Sequence, residues 1–187
     1  MRKHLLALAA ACSLALPLLG GEARAQSATG CPAVGECTSS LYNTAQSTPT
    51  ISTSAYASGN VLGGIQSFRL GAWGTITNAE VTFNSGSFSG SVNLLLFSSS
   101  PTGGGTTDHA ALALTSTDTA KLIGVLSLSN CTTLNSGTIV QCQANQATPQ
   151  AFALANPGNT IYAVAQVIGT PTFAGTSDAT FTLSSVQ

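Results

Sequence analysis

The chain has 187 residues, 43% of them hydrophobic and only 6% charged, with a formal net charge of −1. Its 23 serines and 25 threonines make about a quarter of the sequence and, with 19 glycines, stand where Lys and Glu coat an ordinary soluble protein. The length suits one ordinary domain, the composition argues against a helix-rich cytosolic enzyme, and nothing supplies the Lys/Arg patch that a nucleic-acid binder needs.

The N-terminus reads as an export signal. Arg2 and Lys3 precede an apolar run over residues 5–19, and Ala23-Arg24-Ala25 places small residues at −3 and −1 of a cleavage site. A membrane anchor fits less well, because the run is shorter than the roughly 20 residues that span a bilayer and ends at Pro17 and Gly20-Gly21. Residues 1–25 are therefore expected to be a signal peptide. The remainder carries Arg69 and Lys121 against Glu36, Glu80, Asp108, Asp118 and Asp178, a net charge of −3. No membrane span is expected after cleavage.

Four cysteines follow the signal, Cys31, Cys37, Cys131 and Cys142, an even number in a chain bound for an oxidising space. Three pairings are possible, and proximity favours Cys31–Cys37 with Cys131–Cys142. Each bridge would contribute about 2–3 kcal/mol, mainly by restricting the unfolded chain. No Cys-x-x-Cys occurs, and His109 is isolated in sequence, which argues against a metal site.

Residues 26–50 are rich in Ser, Thr, Ala and Gly and read as a linker or loosely attached arm before a β domain over 51–187. In 80–84, Val81 and Phe83 alternate with Thr82, predicting one buried face. Over 91–98 both alternate sets, Val92/Leu94/Leu96 and Asn93/Leu95/Phe97, are largely apolar, which places that strand centrally. The Thr115-x-x-Asp118 spacing predicts a capping box opening a single helical turn. In 121–129, Leu122, Leu126 and Leu128 fall on one side and Ile123 and Val125 on the other, with Gly124 marking a bulge or close approach. Phe152 and Leu154 belong to a short strand ended by Asn156-Pro157-Gly158-Asn159, a type II turn signal. Strands over 160–168 and 178–184 follow, the last with an Ala179/Phe181/Leu183 stripe. The fold class is all-β: a single β-sandwich or jelly-roll-like domain with short loops and at most one helical turn.

The chemistry-bearing residues are few. Asp108-His109 sits in a Gly/Thr loop after Gly103-Gly104-Gly105, but adjacent residues rarely adopt triad geometry and no Gly-x-Ser-x-Gly elbow is present. The triple glycine has no following Lys to make a phosphate loop and reads as a flexible tip. The acids are too scattered for a glycosidase pair, and the Asp-x-Asp-x-Asp calcium pattern is absent. Arg69 and Glu80 could pair across a hairpin through residues 71–74 and set register. No cofactor and no catalysis are expected. For sugar stacking the chain offers Trp73, Tyr42, Tyr56 and Tyr162; Trp73 between Gly71 and Gly74 could be presented on a loop, although large aromatics mostly bury. Trp73, Asp108 and His109 are the residues by which a ligand could be contacted.

Several stretches resemble a family of small phage virion proteins, the head-decoration or minor structural components. They are Tyr56-Ala57-Ser58-Gly59-Asn60-Val61-Leu62-Gly63-Gly64, Gly74-Thr75-Ile76-Thr77 with Val81, Leu94-Leu95-Leu96-Phe97, Pro101, and Thr107-Asp108-His109-Ala110-Ala111. Asp118 with Lys121-Leu122-Ile123-Gly124, Ile161-Tyr162-Ala163, and Gly169-Thr170-Pro171-Thr172 with Asp178 complete the series, over about 130 residues. The resemblance implies a non-catalytic β domain serving a particle surface as a symmetric oligomer. This chain departs from that family, whose members are made in the cytoplasm without a leader or paired cysteines; the expectation is an exported or virion-associated structural protein. Its partners would be itself or another structural protein. The alternative is a secreted glycan-binding or adhesin-like module.

Overall fold

In the computed structural model the chain divides into two units, Met1–Thr38 and Ser39–Gln187. The structure describes residues 41–85, 88–144, 150–156 and 158–187. The expected signal peptide, most of the expected arm and the Cys31–Cys37 pairing lie outside the described residues.

The second unit is an antiparallel β domain. Its strands are β1 (Tyr42–Ser47), β2 (Val61–Arg69), β3 (Trp73–Phe83), β4 (Ser91–Phe97), β5 (Leu122–Leu134), β6 (Ile139–Ala144), β7 (Gln150–Ala153), β8 (Thr160–Ile168) and β9 (Ala179–Val186). They hydrogen-bond in the order β1-β9-β3-β6-β5-β4-β8-β2, with β7 also on β3. β6 pairs with Glu80–Phe83 and β7 with Trp73–Ile76, so the two act as one interrupted strand along a single edge of β3. Counted so, one half of the sheet is β1-β9-β3-β6/β7 and the other β5-β4-β8-β2. Successive strands alternate between the halves except where β5 follows β4, which is jelly-roll connectivity. β1 and β2, the two ends of the path, also run alongside each other, so the sheet is nearly closed.

Inward-facing residues of both halves share one core, including Leu62, Phe68, Ala79, Val81, Phe83, Leu94, Leu96, Leu128, Ala163, Phe181 and Leu183. The Val81/Phe83 and Ala179/Phe181/Leu183 stripes lie in it as their alternation requires. β4 sits between β5 and β8 with both faces covered: Val92, Leu94 and Leu96 enter the main core, while Leu95 and Phe97 join Val61 and Val164 in a second cluster. That second cluster is capped by Leu112 and Leu114 from the long 98–121 connection.

Four expectations need correction. Residues Tyr42–Ser47 of the expected arm are a strand, registered on β9 from Tyr42↔Val186 to Ser47↔Phe181; only Ala45 among them packs on the core, so no apolar stripe announced it. Arg69 and Glu80 do not pair, because β2 joins β8 whereas β3 joins β9, and Glu80 instead accepts from Gln141 Nε2 at 3.1 Å. The β4–β5 register shifts where Leu96 faces Gly124 and Phe97 faces Leu122. That bulge reverses the alternation, sending Leu122 to the outer cluster and Ile123 to the main core. Finally, in the turn after β7 the left-handed residue is Asn159, at φ 48°, and not Gly158; Asn156 braces it by accepting from Thr160 N at 3.0 Å and donating to Thr160 O at 2.9 Å.

Cys131 and Cys142 face each other across β5 and β6 and are disulfide-bonded, the expected pairing. The helical turn is α1 (Ser116–Thr119), with Thr115 and Asp118 forming the expected reciprocal capping box.

Candidate functional site

The 98–121 connection is held over the second half of the sheet by two carboxylates. Gly63 and Gly64, both at positive φ, form a bulge in β2 between Leu62 and Ile65. The bulge turns the Gly63 N–H to Asp108 Oδ1 at 2.6 Å, and the Ser52 N–H reaches Asp108 Oδ2 at 2.8 Å. The phenol of Tyr56 donates to Oδ1 at 2.7 Å while accepting from Ser52 N at 2.8 Å. Tyr56 is buried, its ring edge-on to Phe173, so burial first and the Asp108 bond second push its pKa upward. Three segments of chain, 52–56, 63 and 108, thus meet on one carboxylate.

His109 takes the left-handed conformation, φ 64°, and its ring lies 4.8 Å from that of Tyr56. Its Nε2 is 2.9 Å from Ala55 O, and its N–H donates to Val61 O. Asp108 and His109 therefore bond to different groups: the carboxylate turns to 52, 56 and 63, the imidazole to 55. Their combined chemistry is attachment of the 107–111 turn to the 51–64 segment.

Asp118 does the same for the glycine loop. Its side chain is fully buried. It accepts from Thr102 N (2.8 Å), Gly103 N (2.9 Å), Thr115 N (3.2 Å) and Thr115 Oγ1 (2.8 Å), with Lys121 Nζ at 3.6 Å. Foremost the Thr102 amide, then the Thr115 hydroxyl, hold this carboxyl well below the usual range. A Cβ at Gly103 would overlap Asp118 Oδ2, so the loop closes this tightly because that position is glycine. The expected flexible tip is, at Thr102-Gly103, a fastened one. Among the described residues no group of three or more His, Cys, Asp or Glu could hold a metal ion.

The outward face of β1-β9-β3-β6/β7 is built differently. Starting from the inward pairs Ala45↔Leu183 and Ala79↔Leu183, strand alternation fixes what points out. One row is Gln46, Thr182, Glu80 and Gln143; the next is Thr44, Ser184 and Asn78; the last is Tyr42, Val186, Thr75 and Ala151, with Trp73 and Ala153 beyond. Hydroxyls and amides bond across strands, Thr44 Oγ1 to Ser184 Oγ at 3.1 Å, Gln46 Nε2 to Thr182 Oγ1 at 3.4 Å and Thr48 Oγ1 to Thr180 Oγ1 at 3.2 Å. Among the described strand residues of this face the one charged side chain is Glu80.

Of the residues singled out from sequence, Asp108 and His109 come together with Tyr56, and Trp73 stands apart on the other half. Trp73 is not packed away as large aromatics mostly are: it is 59% exposed, on the same outward face as Tyr42, which is 76% exposed. Tyr56, offered with them as a stacking platform, is interior. The roles of Asp118 and Tyr56 as loop anchors were not anticipated, although the capping-box spacing already tied Asp118 to Thr115. Comparison with protein-family models, with curated proteins and with solved structures finds no match to this chain.

Proposed function

We propose that this β domain is a non-catalytic structural or interaction protein of an exported or virion-associated assembly, acting by surface contact. The observation that carries the reading is the outward face of β1-β9-β3-β6/β7, a broad pleated surface whose described strand residues are mainly hydroxyls and amides, with Glu80 the one carboxylate among them. Such a face is wetted without ions and offers little charge repulsion to a neighbour. Asp108, His109 and Asp118, the groups from which a hydrolytic site would be assembled, are instead engaged in fastening loops. The Cys131–Cys142 bridge fits an oxidising compartment, and among the described residues no helix is long and apolar enough to cross a membrane. The stretches of sequence that resemble small phage virion proteins, head-decoration or minor structural components, are in keeping with this reading.

Light scattering on the exported form, over a range of concentrations, tests the reading. A stable or concentration-dependent oligomer is expected; a monomer at every concentration that also captures no structural partner overturns it.

A second reading, a secreted glycan-binding module, is favoured by one specific observation: Trp73 and Tyr42 are both exposed on the same face. Retention of the protein by polysaccharide gels is its test.

A further inference from the structure

We infer that the outward face at the Tyr42–Trp73 end is a binding platform for an extended, unbranched and uncharged polysaccharide chain, with the two aromatic rings as stacking anchors; this rests on the second reading above. Tyr42 opposes Val186, Val186 opposes Thr75, and Trp73 lies two residues along β3 from Thr75. With strands about 4.8 Å apart and about 3.3 Å of rise per residue, the two aromatic positions are roughly 12 Å apart on one face. Alternate rings of an extended sugar chain can bridge that span. A sugar ring presents a C–H face that stacks on an aromatic ring and an edge of hydroxyls that needs donors and acceptors. The next row, Thr44, Ser184 and Asn78, supplies these beside Tyr42, on the side of its row away from Trp73.

Charge selects the ligand class. Among the described strand residues of this face only Glu80 is ionic, and Gln141 already donates to it at 3.1 Å. No described strand residue of this face carries a positive charge to neutralise an anionic polymer. At this end the apolar centre, Tyr42 and Trp73 with Val186, Ala151 and Ala153, is narrower than a standard protein interface wants, so the assembly contact proposed above falls to the hydroxyl and amide rows beyond it.

Trp73 is the chain's only tryptophan, so its emission reports this platform alone. The full protein is titrated with hydroxyethylcellulose and with glucomannan, following Trp emission and retardation in native gels containing each polymer. The expected result is a blue shift of emission and retardation by at least one polymer. Trp73→Ala and Tyr42→Ala should each weaken retardation about tenfold, as truncated anchors do. Val125→Ala, an exposed residue on β5 in the other half, should leave it unchanged. Retardation that survives both aromatic substitutions overturns the platform and leaves glycan binding standing. No retardation and no emission shift with either polymer overturns both. Self-association lost in Tyr42→Ala and Trp73→Ala, without polymer binding, makes a second copy the occupant and overturns the inference. All three variants are surface changes, and an unaltered melting temperature checks that each is folded.

Discussion

Tyr56 and Asp108, 52 residues apart in sequence, meet through a 2.7 Å hydrogen bond in which the buried phenol donates to a carboxylate oxygen. The bond joins the segment before β2 to the connection between β4 and β5, and so ties the outer cluster's cover to the main core. Removing the hydroxyl in Tyr56→Phe leaves Asp108 with its two amide donors and is expected to cost about 1.5–3 kcal/mol, the range for a bond to a charged group. Denaturant unfolding at pH 7 measures it.

The same phenol makes a prediction at high pH. Because the folded-state pKa is raised, the native protein holds this proton more tightly than the unfolded chain. The contribution to stability is complete below the unfolded value of about 10 and is lost as pH rises above it. Stability of the native sequence should therefore decline above about pH 10 more steeply than that of Tyr56→Phe. Equal slopes in a series of denaturant titrations would remove Tyr56 from the explanation.

Asp118 has the opposite sign. Its folded pKa is depressed, so its contribution is present above the unfolded value of about 3.9 and fades as pH falls toward the folded one. Asp118→Asn is expected to melt well below the native protein at pH 7, with the gap narrowing through pH 4 to pH 2. Thermal melts across that range check it, and a gap independent of pH would contradict the assignment.

Two glycines should respond differently to the same methyl group. At Gly103 the added Cβ meets Asp118 Oδ2, which Gly103 N, Thr115 N and Thr115 Oγ1 hold in place, and the backbone oxygen of Ala113 at 3.1 Å. At Gly124 it meets the end of the Gln150 side chain, which can swing aside. Gly103→Ala is expected to destabilise by about 1–3 kcal/mol, the cost of overpacking, and Gly124→Ala by clearly less. Paired melting curves decide the order.

The Cys131–Cys142 bridge closes a loop of sequence separation 11. Replacing both cysteines, Cys131→Ser with Cys142→Ala, should lower stability by about 2–3 kcal/mol. Reduction of the native protein should reproduce most of that loss, read as a shift in the denaturant midpoint.

Much of this architecture was already written in one dimension. The two-faced apolar pattern over 91–98 predicts a central strand covered on both sides, and β4 is one. Thr115-x-x-Asp118 predicts a capped turn, and the reciprocal bonds are there. The proximity of Cys131 and Cys142 predicts their pairing. These features are legible because each depends on neighbours within a few residues or on which side of a strand is apolar. β1 was not legible: Tyr42–Ser47 carries a polar alternation, and its position is set by backbone pairing with β9 some 140 residues away.

The sequence by itself determined the all-β class, the buried stripes, the local cap and the short disulfide, since propensity, period and spacing act locally. Only the tertiary structure decided that β2 leaves β3 to join β8 and that Asp108 serves Tyr56 and not His109. It alone brought Tyr42 and Trp73 onto one open face. Those outcomes follow from which distant strands share hydrogen bonds, and a long-range pairing leaves no periodic mark on either partner.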